Sequence, residues 1–265
     1  MATSHHISHA TSLFYGPAFD GPIFAENGRK GVPFHPITKV NLGEPIAADA
    51  DYLVKGATST ELLGAAGTAT WTTDDDGSSP FDNADTPAVS TISTATGESA
   101  SVWELDVPRN ISINVTHSSA VVAMSFTVTG YDAWGYKLAE TFSITASGTT
   151  KTAAGKKAFA AVESISYTVA ASVQANTVNV GIGDVLGLPY KAAAKADVLR
   201  VFFDDAADDS ATVVAAVTTE ATATTGDVRG TVDPDSACDG SEIAVWMYVD
   251  PSSAATLRGV DQYAG

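Results

Sequence analysis

From Val102 onward, apolar and polar residues change places at nearly every step. Trp103, Leu105 and Val107 alternate with Glu104 and Asp106. Ile111, Ile113 and Val115 alternate with Ser112, Asn114 and Thr116, and Phe126 and Val128 with Ser125, Thr127 and Thr129. A period of two is that of a strand with one face buried and one wet. The same reading places strands at 140–145, 164–169, 177–182, 198–203, 212–217 and 243–249, separated by clusters of Gly, Asp, Asn and Ser that favour turns. Residues 156–162, Lys-Lys-Ala-Phe-Ala-Ala-Val, instead suggest one short helical connection. Many strands at short spacing with no βαβ alternation predict a mainly β protein, an antiparallel β-sandwich or jelly-roll-like domain, and argue against a doubly wound nucleotide fold.

The pattern fails in two places. Residues 64–100 are a low-complexity run of Ala, Gly, Ser and Thr around Asp74, Asp75 and Asp76, read as loops with one or two edge strands. Residues 1–55 are interrupted by Gly16-Pro17, Gly21-Pro22, Val32-Pro33, His35-Pro36 and Glu44-Pro45, which leaves no periodic element. This segment nevertheless carries Leu13, Phe14, Tyr15, Phe19, Ile23, Phe24 and Phe34, whereas disordered tails are poor in aromatics. It is read as an extended N-terminal arm (1–55) docking on partner subunits, followed by a β-rich domain (56–265) that a boundary near 190–200 would divide into two β modules. Wrapping of the arm onto its own domain is the plainer alternative.

Charge narrows the function classes. The chain of 265 residues carries 31 acidic against 14 basic residues, a net charge of −17. Nucleic-acid binding needs clustered cations, and only Arg29-Lys30 and Lys156-Lys157 are adjacent pairs, so nucleic acid is not an expected partner. A strongly negative surface instead keeps an abundant protein unaggregated. No stretch reaches the ~20 apolar residues of a membrane span, and the N-terminus lacks the basic start and apolar run of a secretory signal. A soluble protein made in a cytoplasm is expected. Cys238, the only cysteine, excludes an intrachain disulfide and is read as a small buried hydrophobe.

Candidate chemistry is sparse. His5, His6 and His9 could hold a metal only if the terminus were rigid, and His35 and His117 have no adjacent nucleophile or carboxylate. Asp74–Asp76 and the pair Asp204-Asp205 with Asp208-Asp209 could offer oxygens to calcium, but neither fits the EF-hand spacing and solvated turns are the commoner use. Gly181-Ile182-Gly183 lacks the third glycine of a dinucleotide loop and is read as a strand end with a tight turn. Asn110 and Asn114 begin glycosylation sequons on strand residues. No catalytic residue, metal site or cofactor is predicted. Tyr131, Trp134 and Tyr136, on a hairpin between two strands, either cover the domain's own edge or contact a partner. With Phe14, Tyr15, Phe19, Phe24 and Phe34 they form the candidate partner-binding set.

Four motifs in order, Gly130–Gly135 (Gly-Tyr-Asp-Ala-Trp-Gly), Leu138–Ser143, Gly155–Phe159 and Val180–Tyr190, resemble motifs of virion structural proteins of tailed bacteriophages, capsid cement or decoration proteins among them. The resemblance spans roughly residues 100–205. It implies a non-enzymatic β-rich protein, often a homotrimer, that binds the major capsid protein on the outer surface of the head and stabilises the lattice. It transfers no catalytic residue. A tail or tail-fibre role in the same virion is the first alternative. A carbohydrate-binding β-sandwich, stacking sugars on Trp71, Trp103 or Trp134, is the second.

Overall fold

The computed structural model describes residues 37–57, 67–73, 87–169 and 176–265. In chain order its strands are β1 (Ile37–Gly43), β2 (Asp49–Ala57), β3 (Gly67–Thr72), β4 (Val89–Ser93), β5 (Ser99–His117), β6 (Met124–Tyr131), β7 (Lys137–Ile144) and β8 (Thr150–Val169). They continue with β9 (Asn176–Gly187), β10 (Val198–Phe203), β11 (Ala206–Ala207), β12 (Thr212–Ala215), β13 (Gly230–Asp233) and β14 (Ile243–Tyr248), followed by one helical turn, α1 (Ala254–Arg258). The protein is mainly β, and its strand pairs are antiparallel.

Two long strands, β5 of 19 residues and β8 of 20, form the spine of the larger sheet. Its order is β12-β13-β9-β5-β8-β6-β7, with β2 added on β9, β3 on β8 and β4 on β5. The β5–β8 ladder changes register between Glu104 and Arg109 and again between Asn110 and Ser112. Pro108, which has no N–H to give a ladder, lies within the first shift. Bulges bend and twist strands. Here the sheet curls into a half-barrel, a sandwich-like arrangement. That interior is filled by the residues the alternation marks: Trp103 and Leu105, Ile111, Ile113 and Val115, Phe126 and Val128, Ile165 and Tyr167, Val178 and Val180.

A smaller sheet, β1-β14-β10-β11, packs its inner face of Val40, Leu42, Val201, Ile243, Val245 and Met247 against Val107, Leu186, Leu188 and Val232. This second core draws on both ends of the chain. The free edge of β7 is covered by backbone: Ala139 N donates to Tyr263 O (2.7 Å) and Thr141 N to Ala223 O (2.8 Å), which removes a template for strand addition.

Several expectations are corrected. Residues 37–55 do not belong to an arm: β1 pairs with β14 and β2 with β9. Pro36 and Pro45 flank β1 instead of breaking it, and Val40 and Leu42 alternate with Lys39 and Asn41 as a half-buried strand requires. Residues 156–162 are strand within β8, not helix, because Lys157, Ala158 and Phe159 are all buried between neighbouring elements and leave no polar alternation to read. Gly181 and Gly183 lie inside β9 and not at its end. A Cβ on Gly181 would run into the Asp49 carbonyl oxygen, so the glycine lets β2 lie against β9.

Candidate interaction surface

The hairpin between β6 and β7 is held by Asp132. Its Oδ1 accepts from the N–H groups of Trp134 (2.8 Å) and Tyr136 (3.0 Å), and Gly135 takes the left-handed φ of +76° that closes the turn. Its Oδ2 accepts from Arg229 Nη1 (2.8 Å) and Gln262 Nε2 (3.2 Å). The rings answer to the same chain. Tyr131 is buried and donates to Glu163 Oε1, and Trp134 Nε1 donates to Pro189 O (2.7 Å). The Arg258 guanidinium lies 4.6 Å from the centre of the Trp134 ring and donates to the Tyr136 hydroxyl. Of the three hairpin aromatics, then, Tyr131 and Trp134 cover their own domain and Tyr136 remains exposed. Beneath them a cavity of about 630 Å³ is lined by Asp132, Tyr136, Lys137, Arg229, Arg258 and Gln262. Two of its charged groups are paired, Arg229 with Asp132 and Lys137 with Glu163 (2.8 Å each), whereas Arg258 Nε and Gln262 Oε1 are buried without a hydrogen-bond partner.

Phe14, Tyr15, Phe19, Phe24 and Phe34 lie outside the described residues, as do His5, His6, His9, His35 and Asp74–Asp76. His117 Nδ1 accepts from Ser119 N (2.9 Å) and Ala120 N (3.0 Å), which makes it a turn cap. Asp204, Asp205 and Asp209 sit on exposed turns, the half-buried Asp208 accepts from the N–H groups of Ser210 and Asp235, and among the described residues no group of three His, Cys, Asp or Glu side chains is arranged to hold a metal ion. Asn110 is buried, donating to Gly155 O and accepting from Val185 N. Trp71 and Trp103 are buried in the larger core, which overturns the expectation that they stack on sugars. Among the described residues no helix is long and apolar enough to cross a membrane.

The surface that sequence reasoning missed is the outer face of the smaller sheet. Lys39 of β1 and Arg200 of β10 both stand opposite Trp246 of β14, and Ile37 stands opposite Tyr248. In an antiparallel ladder directly opposed residues share a face, so these side chains are neighbours. Phe202 adds a ring 5.8 Å from that of Trp246. Leu199 stands out at a register shift of β10. Exposure reaches 46% at Trp246, 41% at Leu199, 37% at Tyr248 and 36% at Ile37. Around this apolar centre run loose ion pairs, Lys39 with Asp205 (3.7 Å) and Glu242 (3.6 Å) and Arg200 with Asp209 (3.8 Å). An apolar middle within a charged rim is the anatomy of a contact surface. One signal in the sequence could have found it: Trp246 and Tyr248 occupy the positions of 243–249 that alternate with buried Val245 and Met247, where polar residues are expected.

No family model, curated protein or solved structure matches the chain.

Proposed function

We propose that the protein is a structural component of a virion, a cement or decoration protein that binds the outer surface of a tailed-phage head and stabilises the lattice of the major capsid protein. The observation that carries an assembly role is the outer face of β1, β14 and β10, where Trp246, Tyr248, Leu199 and Ile37 stay in water although the same strands bury their other sides. Exposed aromatic clusters ringed by charge are surfaces that a partner covers. A net charge of −17 fits a part held at high local copy number, because it opposes unspecific aggregation. The specific partner, a phage head, comes from the four-motif resemblance in residues 100–205. The physical role is added binding free energy on assembled shells, which raises their stability by mass action.

The test is co-sedimentation of the purified protein with capsids that lack it, followed by heating. Binding that raises the temperature at which the shells open supports the proposal. A protein that stays in the supernatant removes the head reading and leaves the tail or tail-fibre role, to be located by labelling on intact virions.

A second reading is favoured by one observation. Trp246, Tyr248 and Phe202 offer exposed and half-exposed rings on one sheet, the kind of platform on which sugars stack. Glycan-array binding that Trp246→Ala abolishes would move the function to carbohydrate recognition.

A further inference from the structure

We propose that the cavity beneath the β6–β7 hairpin binds an acidic sugar unit, with the Arg258 guanidinium receiving its carboxylate. This goes beyond the assembly reading above and does not rest on it. The pairing of the arginines is the starting point. Among the described residues Arg109 pairs with Asp106 and Asp184, Arg200 with Asp209 and Arg229 with Asp132, whereas Arg258 forms no ion pair. In a chain with 31 acidic against 14 basic residues, an arginine without a carboxylate is not explained by a shortage of partners.

The guanidinium is also oriented in advance. It lies 4.6 Å from the centre of the Trp134 ring and 5.6 Å from that of Tyr136, and its Nη1 donates to the Tyr136 hydroxyl. Trp134 is fixed in turn by its bond to Pro189 O, and the hairpin by Asp132. Arg258 Nε nevertheless has no acceptor, and Gln262 Oε1 has no donor although Gln262 Nε2 donates to Asp132 Oδ2. Buried polar groups left unmet are costly, and here a donor and an acceptor stand unmet on two residues that line one cavity. Both atoms are closed to water, so a ligand meets them by displacing the run from Arg258 to Gln262. That run is tied near its two ends, where Leu257 O accepts from Lys191 N (2.9 Å) and Tyr263 O accepts from Ala139 N (2.7 Å).

The ligand class follows from what the wall offers. A volume of about 630 Å³ is that of an ordinary small-molecule site and exceeds what a single ion fills. With the pairs Arg229–Asp132 and Lys137–Glu163 set aside, Arg258 is the cation left in the wall, and Asp261 stands exposed on the same cavity. One free cation beside a carboxylate suits a monoanion and disfavours a phosphate dianion, and a guanidinium fork matches the two oxygens of a carboxylate. Gln262 Oε1 calls for a hydroxyl or N–H donor on the same ligand. Val228 and Val260 add apolar wall, and Tyr136, 39% exposed, adds a ring at the cavity for C–H surface to lie against. A carboxylate, hydroxyls and a ring with apolar C–H surface together describe a sugar acid.

The experiment titrates the full chain by calorimetry with three probes: glucuronate, glucose, which lacks the carboxylate, and cyclohexanecarboxylate, which lacks the hydroxyls. Saturable binding of glucuronate is expected, about tenfold or more tighter than that of either analogue. Amide hydrogen exchange in residues 254–265 should slow when glucuronate is bound. Arg258→Gln should weaken glucuronate binding about tenfold or more. The absence of saturable glucuronate binding overturns the inference, as does equal binding of glucose or of cyclohexanecarboxylate. Binding that leaves exchange in 254–265 unchanged also overturns it, a result read on the wild type whether or not the variant folds. So does binding retained by Arg258→Gln, and loss of binding in a folded Trp246→Ala moves the sugar to the smaller sheet. An oligosaccharide ending in glucuronate that binds more tightly than the free sugar identifies the source as a glycan chain, and equal affinity identifies it as the free acid; both support the site. Shell binding, measured separately, is independent of all these outcomes.

Discussion

At Glu140 burial raises the carboxyl pKa from 4.5 to about 7, although the backbone N–H groups of Lys156 (2.7 Å) and Lys157 (3.2 Å) donate to it. A carboxyl that keeps its proton in the folded state up to about pH 7 binds more protons there than in the unfolded chain. Its contribution to stability is therefore fully present below about pH 4.5 and is lost as pH rises through about 7. The swing is at most about 3 kcal/mol. Glu140→Gln should remove it, so that urea midpoints of wild type and variant diverge between acidic and neutral pH; parallel curves would refute the assignment. Cys238 is buried, and burial, reinforced by Asp184, pushes its thiol up to about 12. Thiol reagents at mildly alkaline pH are expected to leave the native protein unlabelled and to modify it stoichiometrically in denaturant.

Within elements, close backbone approach is the vulnerable feature. The β2–β9 pairing has an irregular register, with partners only at Asp49, Val54 and Ala57, and it depends on the absence of a side chain at Gly181. Gly181→Val would force β2 away from β9 and should cost about 3 kcal/mol, read as a shifted urea midpoint. A different strand, β8, shows why alternation has limits. In β8 the middle residues are buried on both sides, and Lys157 is fully buried, with its Nζ donating to Ala139 O and Thr222 O (2.8 Å each). A lysine in that place looks like a wet position in the sequence and is a core position in the fold.

For the molecule as a whole, Arg109 ties two strands of the larger sheet, β5 and β9, to the connection that leads in from the smaller one. Fully buried, it donates from Nε to Gly183 O (2.7 Å), and from Nη1 to Ile46 O (3.0 Å) and Asp106 Oδ2 (2.9 Å); Nη2 lies 3.5 Å from Asp184 Oδ1. Ile46 is in the connection from β1 to β2, where the chain passes from the smaller sheet to the larger. Arg109→Ala removes the buried guanidinium from two carboxylates and two carbonyls and should lower stability by about 3–5 kcal/mol. If the two cores depend on this residue for docking, denaturation followed by Trp246 fluorescence and by far-UV circular dichroism should separate into two transitions in the variant.

Sequence alone was enough for the class of fold and for much of the larger core. Period-two alternation at 103–107, 111–116 and 125–129 reports burial of one strand face, and that is a local property which each residue's own polarity records. It was enough, too, to mark Tyr131 and Trp134 as rings that cover something. The tertiary structure decided the rest. That Trp134 faces Pro189 and Arg258, that β1 pairs with a strand two hundred residues away, and that Arg109, Lys157 and Glu140 are buried ionisable groups all depend on partners distant in the chain. The outer face around Trp246 belongs to the same class. Its residues come from β1, β10 and β14, and an apolar side chain in a strand reads the same whether another layer covers it or water does. Only the stacking of layers determines which, because burial is set by what lies above a face and not by the residues that compose it.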